Sequence, residues 1–279
     1  MKKVGILFIF LLMFALTLTA CGGNNAGQEQ GGKQEQTGGS QERKADNLLA
    51  QIKSEGKIKI GTEGTYAPFT FHDKSGKLTG FDVEIAEEIA RRLGVKPEFI
   101  ETKWDGMFAG LDAKRFDIVV NEVGIRDDRK KKYDFSDPYI VSKAVLIVHE
   151  SNHDIKSFAD LKGKKAGQSL TSNLTDIARA NGAEIVPTDG FNQAIDLLAA
   201  KRIDATVNDG LSFLDLKKQK PKVPVKKVAE QPKGSQSGVL FRKNNPELVE
   251  AVNKALADMK KDGTYLKISK KWFGADVSK

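Results

Sequence analysis

The 279-residue chain carries one cysteine, three histidines and two tryptophans, and these shortages narrow what it can be. A lone cysteine cannot build an internal disulfide framework. His72, His149 and His153 share no helix face and no ligand-like spacing, so no metal centre is expected. No GxSxG elbow, Walker loop or dinucleotide fingerprint occurs. Long apolar runs are also missing: residues 6–18 form the main one, too short for a convincing membrane span. The net charge of +8 comes with no nucleic-acid motif and no aromatic interleaving, so the basic runs at 129–132 and 217–227 read as solvated surface. Neither a cofactor nor a nucleic-acid partner is expected.

The place of the single cysteine suggests its role. Lys2 and Lys3 precede the apolar run and Leu18-Thr19-Ala20-Cys21 closes it, which is the layout of a secretory signal. The closing tetrapeptide resembles the bacterial lipobox, in which the cysteine becomes the lipidated first residue of the mature chain. Residues 1–20 are then a signal peptide. Acyl chains on Cys21 would anchor the protein outside the cytoplasm, each buried methylene adding ~0.8 kcal/mol. Residues 22–44, GGNNAGQEQGGKQEQTGGSQERK, hold no aliphatic side chain larger than alanine, so 21–45 should be a flexible tether.

What the rest of the chain does have is a repeated decapeptide. AKRFDIVVNE (113–122) and AKRIDATVND (200–209) agree at six of ten positions. Each reads as a helix end, a Lys-Arg turn, a short strand and then an acid. The runs 118–120 and 205–207 suit buried parallel strands. Ligands of open α/β sheets bind beyond the carboxyl ends of the strands. Two lobes, each with an acid at that end, would bring Glu122 and Asp209 to one cleft.

The surrounding pattern supports two lobes. Strand 57–60, a loop at 61–71, an amphipathic helix from Phe81 to Leu93, strand 95–101 and a helix through 107–111, capped by Asp105, give the order βαβαβ. Pairs Glu87–Arg91 and Glu88–Arg92 should support the first long helix. After Ala144 the pattern restarts, with a helix over 171–181 and another over 191–200. Strand 237–241 should return to the first lobe, and Asn245-Pro246 opens the long final helices. The expected fold is α/β, two Rossmann-like lobes with mixed, mostly parallel sheets joined by two crossover strands. The expected bounds are 46–142 plus 235–279 for lobe 1 and 143–234 for lobe 2.

The residues that could carry chemistry suit recognition better than reaction. Arg129 and Arg126 follow the first decapeptide, and either could grip a carboxylate with paired hydrogen bonds or simply pair with Asp127 or Asp128. Ser172 and Asn173 lie at a strand-to-helix junction, where free N–H groups favour an anion, although plain capping explains them equally well. Tyr66, Phe69 and Trp104 could wall a pocket.

The segments GTEGTYAPFTF, GKLTGFDVEIAEEIARRLGV, TKWDGMFAGLDAKRFDIVVNEVGIRDDRKKKYDFSDPY and KDGTYLKISKKWFGADVSK resemble the polar amino-acid solute-binding lipoproteins of bacterial ABC importers, which have the type II periplasmic-binding-protein fold. TKWDGM, AKRFD, QSLTSN and KKWFGADVSK look most like the cystine-binding branch. The resemblance implies a monomeric, non-enzymatic clamp that delivers an amino acid, cystine (or cysteine) foremost, to a membrane permease. It implies that Arg129 takes the ligand carboxylate and Asp209 its ammonium. Tyr66 would cover the aliphatic part and Trp104 would stand beside the side chain, while Ser172 and Asn173 help hold the carboxylate. Gly124, where many relatives carry a hydroxyl residue, would offer a backbone N–H. Glu122 departs from the glutamine expected of cystine binders; an acid there would meet a second ammonium, or a lysine or arginine side chain. The alternatives are a basic amino-acid binder of the same type and a dehydratase-like enzyme on this fold using Glu122 or Asp209.

Overall fold

The computed structural model describes residues 47–279. The signal segment 1–20, Cys21 and the tether 21–45 lie outside the described residues. Among those described, no helix is long and apolar enough to cross a membrane.

Two five-stranded sheets share one plan. In the first, the strands run Lys96–Glu101, Lys57–Thr62, Ile118–Val119, Leu240–Arg242, Tyr133–Phe135. In the second they run Glu184–Pro187, Lys165–Gln168, Ala205–Asp209, Ala144–His149, Val225–Glu230. In each sheet the first three strands are parallel and the last two join antiparallel. The chain passes between the two halves along a short antiparallel ribbon, Ile140–Ser142 against Ser235–Ser237. Two lobes joined by two crossover strands are therefore the observed architecture.

The decapeptides fold alike because the same local forces act on both. Lys114 and Lys201 turn the chain at φ 57° and 56°. Asp117 and Asp204 each bond twice to the neighbouring parallel strand, Lys57–Thr62 or Lys165–Gln168: the carboxylates accept from Lys59 N and Lys165 N at 2.9 and 2.8 Å, and the amides donate to the same residues' carbonyls. Phe116 and Ile203 then pack on glycines of that neighbouring strand. A Cβ at Gly61 would lie 2.6 Å from the Phe116 ring, and one at Gly167 would lie 2.6 Å from Ile203 Cδ1. A side chain at either place would have to displace its neighbour.

Helix Phe81–Leu93 buries Phe81, Ile85, Ala86, Ile89 and Ala90 against the first lobe's core, and Gly94 ends it in the left-handed conformation. Its surface pairing differs from expectation. Glu88 takes both arginines, the expected Arg92 and also Arg91, at 2.6 Å each, and Arg92 also reaches Asp262, just past the end of the long helix Pro246–Lys261, at 2.6 Å. The stretch 61–71 is not a plain loop. It carries the short strands Thr65–Tyr66 and Thr70–His72, which form a small sheet with Leu78–Thr79. The expected strand 237–241 is split into Ser235–Ser237 on the ribbon and Leu240–Arg242 in the first sheet. The helix expected from 171 begins at Asn173, with Ser172 as its cap. Asp105 caps nothing, because its carboxylate is taken by the other lobe.

Candidate functional site

The carboxyl ends of the strands in both sheets converge on one cavity of about 50 Å³. Both lobes supply its walls. Six of the residues singled out from sequence line it: Tyr66, Trp104, Glu122, Ser172, Asn173 and Asp209. The lobes touch around it. Tyr66 donates to Asn208 Oδ1 at 3.0 Å, Ser212 donates to Ala67 O at 3.0 Å, and Asn192 donates to Thr65 O at 2.9 Å.

Arg129 and Gly124 stand just behind that wall. Arg129 is buried in the short helix Asp127–Lys130. Its Nη1 donates to Gly124 O at 3.0 Å and its Nη2 to Thr171 O at 3.2 Å. The guanidinium lies 5.5 Å from the Trp104 ring centre and 5.1 Å from that of Phe108, a favourable contact for a cation. A Cβ on Gly124 would point between Arg129 and Asn173, 3.5 Å from each. Gly124 thus leaves the arginine next to the start of helix Asn173–Ala180. Arg126, by contrast, is spent on surface pairs with Asp128 at 2.9 Å and Asp176 at 2.5 Å. Burial pushes Arg129 down to about 10, with Arg126 adding to the shift, which still leaves it charged at neutral pH.

The opposite side of the cavity is acidic. Asp209 caps helix Gly210–Gln219, its Oδ1 accepting from Leu211 N at 2.7 Å and Ser212 N at 3.3 Å, and its Oδ2 accepting from Ser142. Burial raises its carboxyl above the usual range while these donors hold it down. Glu122 sits at φ 50°. Burial holds its carboxyl well above the ordinary range, and the charges of Asp209 and Asp82 push the same way.

Sequence reasoning missed several members. Glu63 lines the cavity, accepts from Asn121 Nδ2 at 2.7 Å, and is raised to about 7 by burial. Asp82 is fully buried, accepts from Tyr139 OH at 3.0 Å, and is raised to about 7 by burial. Tyr139 in turn accepts from Glu122 N at 3.0 Å, which ties the turn bearing Glu122 to the core. Asn121 and Asn208, the paired asparagines of the decapeptides, also line the cavity. Their matched positions in the repeat were the available signal.

Charge therefore divides across a single gap. Carboxyl groups collect around Glu122 and Asp209; a guanidinium and a helix N-terminus sit at the other end. No group of three or more His, Cys, Asp or Glu with metal-holding geometry occurs among the described residues.

Comparison with known proteins identifies the relatives of this chain. Residues 58–275 match the model of the bacterial extracellular solute-binding proteins, family 3. The chain is 47% identical over 280 residues to the L-cystine-binding protein TcyA of Bacillus subtilis (strain 168), covering 100% of both chains. It is 46% identical to the L-cystine-binding protein TcyJ of Escherichia coli (strain K12), covering 84% of this chain and 89% of that one. Among solved structures, an ancestral arginine-binding protein bound to arginine matches with a TM-score of 0.74 at 43% identity, covering 78% of this chain and 98% of that one. The L-cystine solute receptor of Neisseria gonorrhoeae in the unliganded open conformation matches at 48% identity, covering 83% and 99%, with a TM-score of 0.56. The last is closer in sequence and further in shape, as expected when similar lobes stand at different angles.

Proposed function

The chain belongs to family 3 of the bacterial extracellular solute-binding proteins, and on that footing we propose that it captures L-cystine between its lobes and delivers it to an ABC permease. The lobes that move are taken as 46–142 plus 235–279 and 143–234. The observation that carries the reading is the charge division across the cavity. A free amino acid brings one carboxylate and one ammonium, and only a closed cleft can contact both.

In this reading Asp209 takes the α-ammonium. Arg129 gives up the Thr171 carbonyl for the α-carboxylate, helped by Ser172, Asn173 and the N–H of Gly124. Tyr66 covers the aliphatic part and Trp104 flanks the side chain. Glu122 faces the second ammonium that cystine carries. Binding then shifts the open and closed populations by the contacts that only the closed form makes. A micromolar Kd corresponds to about −8.2 kcal/mol, within reach of a few desolvated charge-assisted bonds.

Cystine is favoured by the L-cystine-binding relatives; the acid at Glu122 departs from the glutamine expected of that branch and fits a second ammonium or a basic side chain alike. A basic amino acid is the second reading, favoured by the same carboxylate and by the arginine-bound structural neighbour. We further take the protein to be a monomer held at the outer face of the cell membrane by lipid on Cys21. The run Leu18-Thr19-Ala20-Cys21 and the apolar segment before it support this. A thermal-shift screen of the chain against every amino acid and cystine tests the substrate. The expected result is the strongest shift with L-cystine; a strong shift with arginine and none with cystine overturns that choice.

A further inference from the structure

Asp105 belongs to the first lobe, in the single turn Trp104–Gly106, and is exposed. Its carboxylate nevertheless accepts three hydrogen bonds from the second lobe. The donors are Leu170 N–H at 3.1 Å, Thr171 N–H at 2.9 Å and the Thr171 hydroxyl at 2.7 Å. They lie between strand Lys165–Gln168 and helix Asn173–Ala180, in the loop that presents Ser169, Ser172 and Asn173 to the cavity. The carbonyl of Thr171 also receives Arg129 Nη2. One carboxylate thus fastens the segment that carries the anion-binding end of the site.

Bonds from N–H groups to an ionised carboxylate are stronger than neutral ones. The nearby Lys103–Asp189 pair crosses the same seam at 2.7 Å, but its side chains are 70% and 63% exposed, so it adds little. When the lobes part, the three donors and Asp105 all return to water. A contact made in only one of two states shifts their balance by its own free energy, without touching the ligand.

We propose that Asp105 is a positioning residue for ligand capture: its carboxylate, supplied by one lobe, locks the 169–173 loop of the other only in the closed state and so slows ligand release. The proposal rests on the amino-acid-binding reading above. Encounter takes place with the open form, so the lock acts on dissociation rather than association.

Stopped-flow kinetics and calorimetry with L-cystine test it on the full chain. Asp105→Ala should raise the dissociation rate and Kd about 10-fold, equivalent to about 1.4 kcal/mol. Its association rate and its ligand-free melting temperature should match the parent. Asp105→Asn, which retains one acceptor oxygen, should fall between. Thr171→Val should cost about 3-fold alone and nothing further when added to Asp105→Ala. An unchanged release rate in Asp105→Ala overturns the proposal, as does full additivity with Thr171→Val. A lowered ligand-free melting temperature together with slowed association also overturns it, since that marks an ordinary folding role. If the parent ignores L-cystine but binds L-arginine, the substrate choice fails and arginine becomes the probe for the same variants. If it binds neither, there is no capture for the lock to serve.

Discussion

The two decapeptides fold alike through the turn and into the strand, then part: the first strand stops at Val119, while the second runs on through Asp209. Up to Asn121 and Asn208 they share a turn, a doubly bonded aspartate and a side chain packed over glycine. Then Glu122 bends into the left-handed region at φ 50°, while Asp209, at φ −68°, continues into a helix that it caps. The first acid gains no cap and makes a strained turn; the second is held by Ser142 and two amides. Repetition built the two sheets, and divergence at one position built two unlike carboxylates. A fixed, well-donated carboxylate suits a constant ammonium. A strained acid with a raised affinity for protons suits the part of a ligand that varies between substrates.

The largest effects should come from the charges that the lobes do not share. Asp209→Asn keeps an oxygen for the cap but loses the charge, and Arg129→Gln loses the buried guanidinium at the opposite end. Removing one member of a buried charged pairing costs about 2–5 kcal/mol, so each should weaken ligand binding at least ~30-fold by calorimetry. Melting temperatures should stay close to the parent's.

Next come the places where the lobes agree. Gly61→Ala drives a methyl into the fully buried ring of Phe116, and overpacking of that kind costs about 1–3 kcal/mol. Gly167→Ala meets the tip of Ile203, which can turn aside, with Thr188 Cγ2 at 3.3 Å and Ala194 Cβ at 3.4 Å as its next neighbours. Thermal melts should therefore show the larger loss for Gly61→Ala. Equal losses would mean that the two packings are equally rigid.

Glu122→Gln should cost L-cystine about 10-fold, roughly 1.4 kcal/mol, and cost a ligand with one ammonium much less. Glu122→Gly should raise ligand-free stability by about 1–2 kcal/mol, because glycine adopts φ 50° freely.

The last effect is on pH. Burial raises the folded-state carboxyls of Glu63 and Asp82 to about 7, above their ordinary values. A raised acid contributes stability that is complete while it is protonated in both states, below about pH 4. That contribution is lost as pH climbs to about 7. Asp82→Asn should flatten this part of the melting profile between pH 5 and 8. Ligand affinity should run the other way, rising over the same window as Glu63, which lines the cavity, ionises and adds negative charge around an ammonium.

Much of this was legible in the chain. The decapeptides pointed to two matching sheets because a helix end, a turn and a short apolar strand are local features. Tyr66, Trp104, Glu122, Ser172, Asn173 and Asp209 lie round one cavity because each follows a strand or opens a helix. Less legible was whatever depends on a distant partner. Asp105 read as a cap because nothing near it shows Leu170 and Thr171 arriving from the other lobe. Glu63 looked like one polar residue in a loop, and only folding places Asn121 against it. Asp82 looked like a first-turn helix acid, and its burial beneath Tyr139 depends on residues 57 positions away. The stretch 61–71 lacked alternation long enough to mark strands of two and three residues.

Titration of the chain with L-cystine in a calorimeter, alongside Asp209→Asn, tests most directly whether unlike lobes close on a zwitterion. The account predicts one molecule bound per chain at micromolar concentration, and heat that all but vanishes in the variant while its fold persists. Undiminished binding by Asp209→Asn would contradict it.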